Sequence, residues 1–104
     1  MKVKEIMKKS GIPMHLKGYE VLTMCIESHV KNPEKTMSEL YAEVYDASKC
    51  KFWSVERNIR TALRIGYPNM DSELKKTLFQ NSASEPSAGE FIKAVSCAIR
   101  NDLI

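Results

Sequence analysis

At 104 residues the chain can bury one modest core and not two, so it is expected to form a single domain over residues 1–104. Its 43% hydrophobic and 28% charged content is that of an ordinary soluble globular protein. No apolar run nears a membrane span and the N-terminus lacks a signal-peptide core, which excludes a membrane protein and points to the cytoplasm. The net charge of +3 is mild, so its distribution along the chain carries more information than its size.

Taken in order, the segments read as helices throughout. Val3 to Lys9 is a short lysine-rich helix that Gly11 and Pro13 end, because glycine suits the residue after a helix and proline bars continuation. After a loop from Ile12 to Gly18, a longer helix runs to about Val30 with Leu16, Tyr19, Leu22, Ile26 and Val30 inward, and Asn32-Pro33 stops it. Thr36 and Glu39 form a capping box that starts a third helix, reaching about Ala47, with Tyr41 and Tyr45 on its apolar stripe. A short link, Ala47 to Lys51, joins it to a fourth helix, Phe52 to Ile65, which Gly66 and Pro68 end. Asp71 to Gln80 is a fifth, weaker helix with Leu74 and Leu78 inward. Ser87 and Glu90 open a last helix whose stripe is Phe91, Ile92, Val95, Ala98, Ile99 and Leu103. No strand-like alternation competes, and the fold expected is all-α, about six helices around a central helix-turn-helix, unrelated to the winged helix.

The fourth helix organises the rest. Phe52, Val55, Ile59, Ala62 and Leu63 share a face that wants a core. Arg57, Arg60 and Arg64 fall on the opposite face, with Ser54 and Thr61 beside them and Glu56 and Asn58 on the flanks. Arginine there can fork onto guanine edges or phosphates, and Glu56 can accept from a cytosine amino group. From Lys49 to Arg64 five cations, Lys49, Lys51, Arg57, Arg60 and Arg64, stand against one carboxylate, a concentration that suits a polyanion. The same pattern also fits an ordinary surface helix with solvated arginines, and periodicity alone leaves the two open.

Other residues carry weaker signals. Cys25 and His29 stand four apart on a helix and could share a metal, but no third ligand is in view, so no metal site is expected and His29 reads as a surface histidine. Cys25, Cys50 and Cys97 are an odd, widely spaced set without C-x-x-C, which argues against a disulfide framework. Trp53 fits either stacking on a sugar or methyl group or packing on the preceding helix. No nucleophile–base pair, paired carboxylates or glycine-rich phosphate loop appears, so neither enzyme activity nor a cofactor is expected.

Four motifs carry a resemblance: Gly11-Ile-Pro-Met-His15-Leu-Lys17-Gly18-Tyr19, Leu40-Tyr41, Val55-Glu56-Arg57-Asn-Ile59-Arg60-Thr-Ala62 and Pro86-Ser-Ala-Gly-Glu90-Phe91-Ile92. In that order and at nearly that spacing they resemble the C-terminal DNA-binding domain of the sporulation master regulator, stage zero sporulation protein A. The resemblance implies a helical domain that binds a short promoter box as tandem or paired copies. It puts Glu56, Arg57 and Arg60 in the major groove and His15 and Lys17 at the phosphate backbone, where His15 would otherwise be a packing or capping group. With it, Ser54 and Thr61 are expected to complete the base-reading set, and Lys49, Lys51 and Arg64 the phosphate-binding set. The partners expected are double-stranded DNA, a second copy and RNA polymerase.

The chain departs from the family pattern at several positions. Ser54 and Thr61 replace an arginine and a histidine with shorter readers, Cys50 and Lys51 replace capping hydroxyls, and Glu85 replaces a basic residue. The 104 residues leave no room for the receiver domain that precedes this domain in the family, so a stand-alone effector domain, a truncated one and a diverged paralogue all stay open, and phosphorylation-driven pairing is not assumed. A degenerate copy that binds a protein instead of DNA is the competing expectation.

Overall fold

The computed structural model describes residues 2–48 and 52–104, the side chains of Phe52 and Trp53 excepted. The places expected for Lys49, Cys50 and Lys51, and for the rings of Phe52 and Trp53, lie outside the described residues. Among those described, every regular element is helical: α1 (Val3–Lys9), α2 (Lys17–Lys31), α3 (Met37–Ser48), α4 (Phe52–Gly66), α5 (Ser72–Phe79) and α6 (Ala88–Arg100), with a single 3-10 turn at Tyr67–Asn69.

The helix starts follow from capping chemistry. Thr36 Oγ1 accepts from the Glu39 N–H while the Glu39 carboxylate accepts from the Thr36 N–H. Ser87 and Glu90 repeat the arrangement at α6. These N–H donors hold both glutamates below the usual carboxylate range. Ser87→Ala removes an N-cap acceptor and is expected to cost about 1 kcal/mol. Urea unfolding would show it as a lower midpoint at unchanged slope.

Helix α2 is the hub, packed against α1, α3, α4 and α6. Val21, Leu22, Cys25 and Ile26 are fully enclosed, while Leu16, Tyr19 and Val30 are half-buried at its margins. Burial pushes the Cys25 thiol up to about 12, with the Glu43 carboxylate adding to it, so this cysteine is an inert core group. Gly11, at φ +81, turns the chain beneath the end of α4, and a Cβ there would sit 2.4 Å from the Gly66 carbonyl oxygen. Next to Gly66, a ladder of rings from Tyr67 through Phe79 to Phe91, with centroids 5.7 and 5.6 Å apart, ties α5 to the 3-10 turn after α4 and to α6. The Tyr67 hydroxyl donates to the Ser82 carbonyl at 2.7 Å, and Lys75 lies over the Tyr67 ring.

Three expectations are corrected. His29 is buried, only 5% exposed, because it continues the inward stripe of α2 and meets α6. His29 Nδ1 lies 2.6 Å from the Ser96 hydroxyl, which also reaches the Ile92 carbonyl. Tyr45 is 42% exposed, since the buried stripe of α3 runs through Leu40, Val44 and Ser48. Leu103 is exposed as well: α6 stops at Arg100, and Asp102 turns the chain through a left-handed φ of 52°.

The buried imidazole makes stability depend on pH. Desolvation, then the Arg100 and Lys93 cations, lower the His29 pKa, and Glu34 opposes them. The unfolded chain therefore binds a proton more readily than the folded one. The stability held at neutral pH is present above the ordinary histidine value and falls as pH drops through it toward the lowered folded value. Urea unfolding at pH 7.5 and pH 5.5 is expected to show this loss in the native protein and a smaller loss in His29→Gln.

Candidate nucleic-acid interface

One face of α4 is sealed into the core. Val55, Ile59 and Ala62 have no exposed surface and Leu63 almost none, because α2, α3 and α6 all pack against α4. The opposite face is left to solvent by the same packing. Arg57, Arg60, Arg64 and Glu56 are all exposed on it.

The residues expected to read bases divide across this face. Arg57 and Arg64 occupy its centre. Ser54 and Thr61 are half-buried on the flank that, with Asn58, leans toward α2. Arg57 Nη2 lies 3.5 Å from Ser54 Oγ, a weak contact that orients the guanidinium along the helix. On the other flank Glu56 and Arg60 form an i, i+4 ion pair at 3.8 Å, with more than half of each side chain exposed. Such a pair costs little to break, so both groups are free to exchange each other for an external partner.

Beside that pair lies a feature which periodicity did not reveal. Glu56 and Arg60 border a groove of about 240 Å³ whose other walls are Met37 and Tyr41 of α3 and Ser87, Ala88 and Gly89 at the start of α6. Burial, and then the Glu56 carboxylate, push the Tyr41 phenol up to about 12, consistent with a half-enclosed ring beneath Glu56. Glu85 is exposed just ahead of the α6 cap.

The residues expected at phosphate divide as well. His15 is exposed in the turn before α2. Lys17 is not in a loop but is the first residue of α2, and its ammonium is engaged within the molecule. Nζ donates to the Ser48 carbonyl and to Glu20 Oε2, each at 3.0 Å. Lys17 thus ties the start of α2 to the end of α3. Arg64 is exposed in the last turn of α4. Lys49 and Lys51 lie outside the described residues. Cys25 and His29 both serve the core, and among the described residues no three His, Cys, Asp or Glu side chains gather where they could hold a metal ion.

A helical pair with a sealed inner face and an arginine-bearing outer face suits a DNA reader and an ordinary surface helix alike, and the match of the whole chain to a family decides between them. The family described as sporulation initiation factor Spo0A C terminal matches residues 3–99, from the first residue of α1 to one residue short of the end of α6. The chain belongs to this family. Membership makes it a DNA-binding domain of the sporulation-regulator type, a family of transcription factors and not of enzymes. The all-helical fold agrees with that membership, and no described helix is long and apolar enough to cross a membrane.

Proposed function

We propose that this domain reads a short promoter box in double-stranded DNA by laying the exposed face of α4 in the major groove. The observation that carries this is the grouping of Arg57, Arg60, Arg64 and Glu56 on one solvent face of a helix whose other face is wholly buried. Arg57, at the centre, donates in a fork to a guanine edge. Arg60 and Glu56 part from each other to meet neighbouring bases, and Ser54 and Thr61 contribute shorter contacts at the α2 flank. His15, Arg64, Lys49 and Lys51 bind phosphate and give the complex its salt dependence. The chain acts as a single domain, pairs with a second copy on adjacent boxes and meets RNA polymerase there.

A second reading, docking on a protein instead of DNA, draws on Glu85 and on the half-buried Ser54 and Thr61, which weaken the reader relative to the family pattern. Fluorescence anisotropy separates the two. The protein is titrated against a duplex carrying the family's promoter box and against a scrambled duplex, each at two salt concentrations. Tight, salt-sensitive and box-preferring binding is expected. Negligible binding to both duplexes would move the protein-docking reading to the front.

A further inference from the structure

The ammonium of Lys17 reaches from the first turn of α2 to the last turn of α3. Helix α3 has no basic residue in its own last turn, although its terminal carbonyls carry the negative end of the helix dipole. The Lys17 bond to the Ser48 carbonyl supplies that cation from a neighbouring helix, across 31 positions of sequence. Glu20, one turn along α2, holds the ammonium from the other side. Ser48 is itself buried, its hydroxyl donating to the Val44 carbonyl at 2.6 Å, so the carbonyl that is gripped belongs to a packed residue and not to a frayed end.

The adjoining residue, Gly18, lies directly on α4, where an added Cβ would stand 2.2 Å from the Asn58 carbonyl oxygen and 2.6 Å from the Ala62 Cβ. Two consecutive residues of α2 therefore touch both members of the helix-turn-helix. Lys17 grips the end of α3, and Gly18 seats the side of α4.

We infer that Lys17 is a positioning residue for base reading. Its ammonium fixes where α3 ends relative to α2, and so the angle at which α4 offers Arg57, Glu56 and Arg60. The inference rests on the DNA-reading function proposed above. It differs from the phosphate role that the family resemblance implies for this position, and the two roles have opposite signatures. Loss of a phosphate contact weakens cognate and scrambled DNA by the same factor and lowers the slope of log affinity against log salt by about 0.9. Loss of a positioning contact weakens the cognate duplex alone and leaves the slope unchanged.

The test compares Lys17→Met, which keeps the aliphatic stem, with Lys17→Arg, which can still donate to the Ser48 carbonyl. Both are measured by anisotropy on box and scrambled duplexes over a series of salt concentrations, under conditions where circular dichroism shows full folding. The ratio of cognate to scrambled affinity is expected to fall about tenfold in Lys17→Met, since hydrogen bonds to charged groups are worth roughly that factor or more. It is expected to recover in Lys17→Arg. Equal losses on both duplexes with a shallower salt slope, or no change on either, would overturn the assignment.

A measurement without DNA keeps this outcome distinct from failure of the DNA-reading function. Amide hydrogen exchange in the last turn of α3 and along α4 is expected to quicken in Lys17→Met and not in Lys17→Arg. Unaltered exchange overturns the positioning role even where the native protein prefers its box. Quickened exchange in a protein with no box preference keeps the grip of Lys17 on α3 but overturns its role in base reading.

Discussion

Arg57→Ala is expected to cost about 1 to 3 kcal/mol on the preferred duplex and to flatten the preference over scrambled DNA, the measure of a bidentate base contact. The reason lies in where the packing leaves each cation. Arg57 stands mid-face, and among the described residues its guanidinium makes one weak contact, to Ser54. Arg60 is partnered by Glu56, so removal of its positive charge also frees a carboxylate at the flank of the reader. In the proposed reading Arg64, two turns further along α4, meets phosphate rather than bases. Arg64→Ala is the matched comparison: both duplexes lose affinity alike and the salt dependence becomes shallower. Anisotropy titrations of the two variants side by side decide the matter. Equal losses on cognate and scrambled DNA for Arg57→Ala would remove it from the base-reading set.

What could be read from the sequence follows from how local its physical cause is. Helices α4 and α6 were legible because a stripe such as Val55, Ile59, Ala62 and Leu63 needs only the helical repeat to declare itself, and the Ser87–Glu90 box marks a start within four residues. The face of α4 that carries Arg57 is simply the complement of its buried stripe. The errors fall where the deciding partner is distant in sequence. His29 is a core residue because its ring meets Ser96, 67 positions on, and Lys17 opens α2 rather than a loop, its ammonium bonded to the Ser48 carbonyl at the end of another helix. Nothing near either residue announces that partner. Tyr45 failed for a different reason: two neighbouring positions on α3 could each have been core, and the packing of α2 and α4 selected the line through Leu40, Val44 and Ser48. The groove between α4 and α6 needs three helices at once and was beyond any single periodicity.

The same dependence on distant packing makes Gly18, where α2 meets the reader helix, sensitive to the smallest substitution. In an isolated helix, alanine in place of glycine stabilises by about 1 kcal/mol. Here the added methyl meets the Asn58 carbonyl oxygen at 2.2 Å and the Ala62 Cβ at 2.6 Å. Neither atom can swing aside, since one is mid-helix backbone and the other is fixed to it. Helices α2 and α4 must move apart. Forcing extra volume into a packed core costs about 1 to 3 kcal/mol, which outweighs the gain in helix propensity. Gly18→Ala is therefore expected to lower the urea midpoint. At temperatures where it remains folded, it is also expected to narrow the gap between cognate and scrambled duplexes, because the displaced helix is the one that carries Arg57. A more stable Gly18→Ala protein would mean that helix propensity wins, and that α2 and α4 do not approach as closely as this contact requires. An unstable variant that keeps its full preference for the box would separate the seat of α4 from its reading.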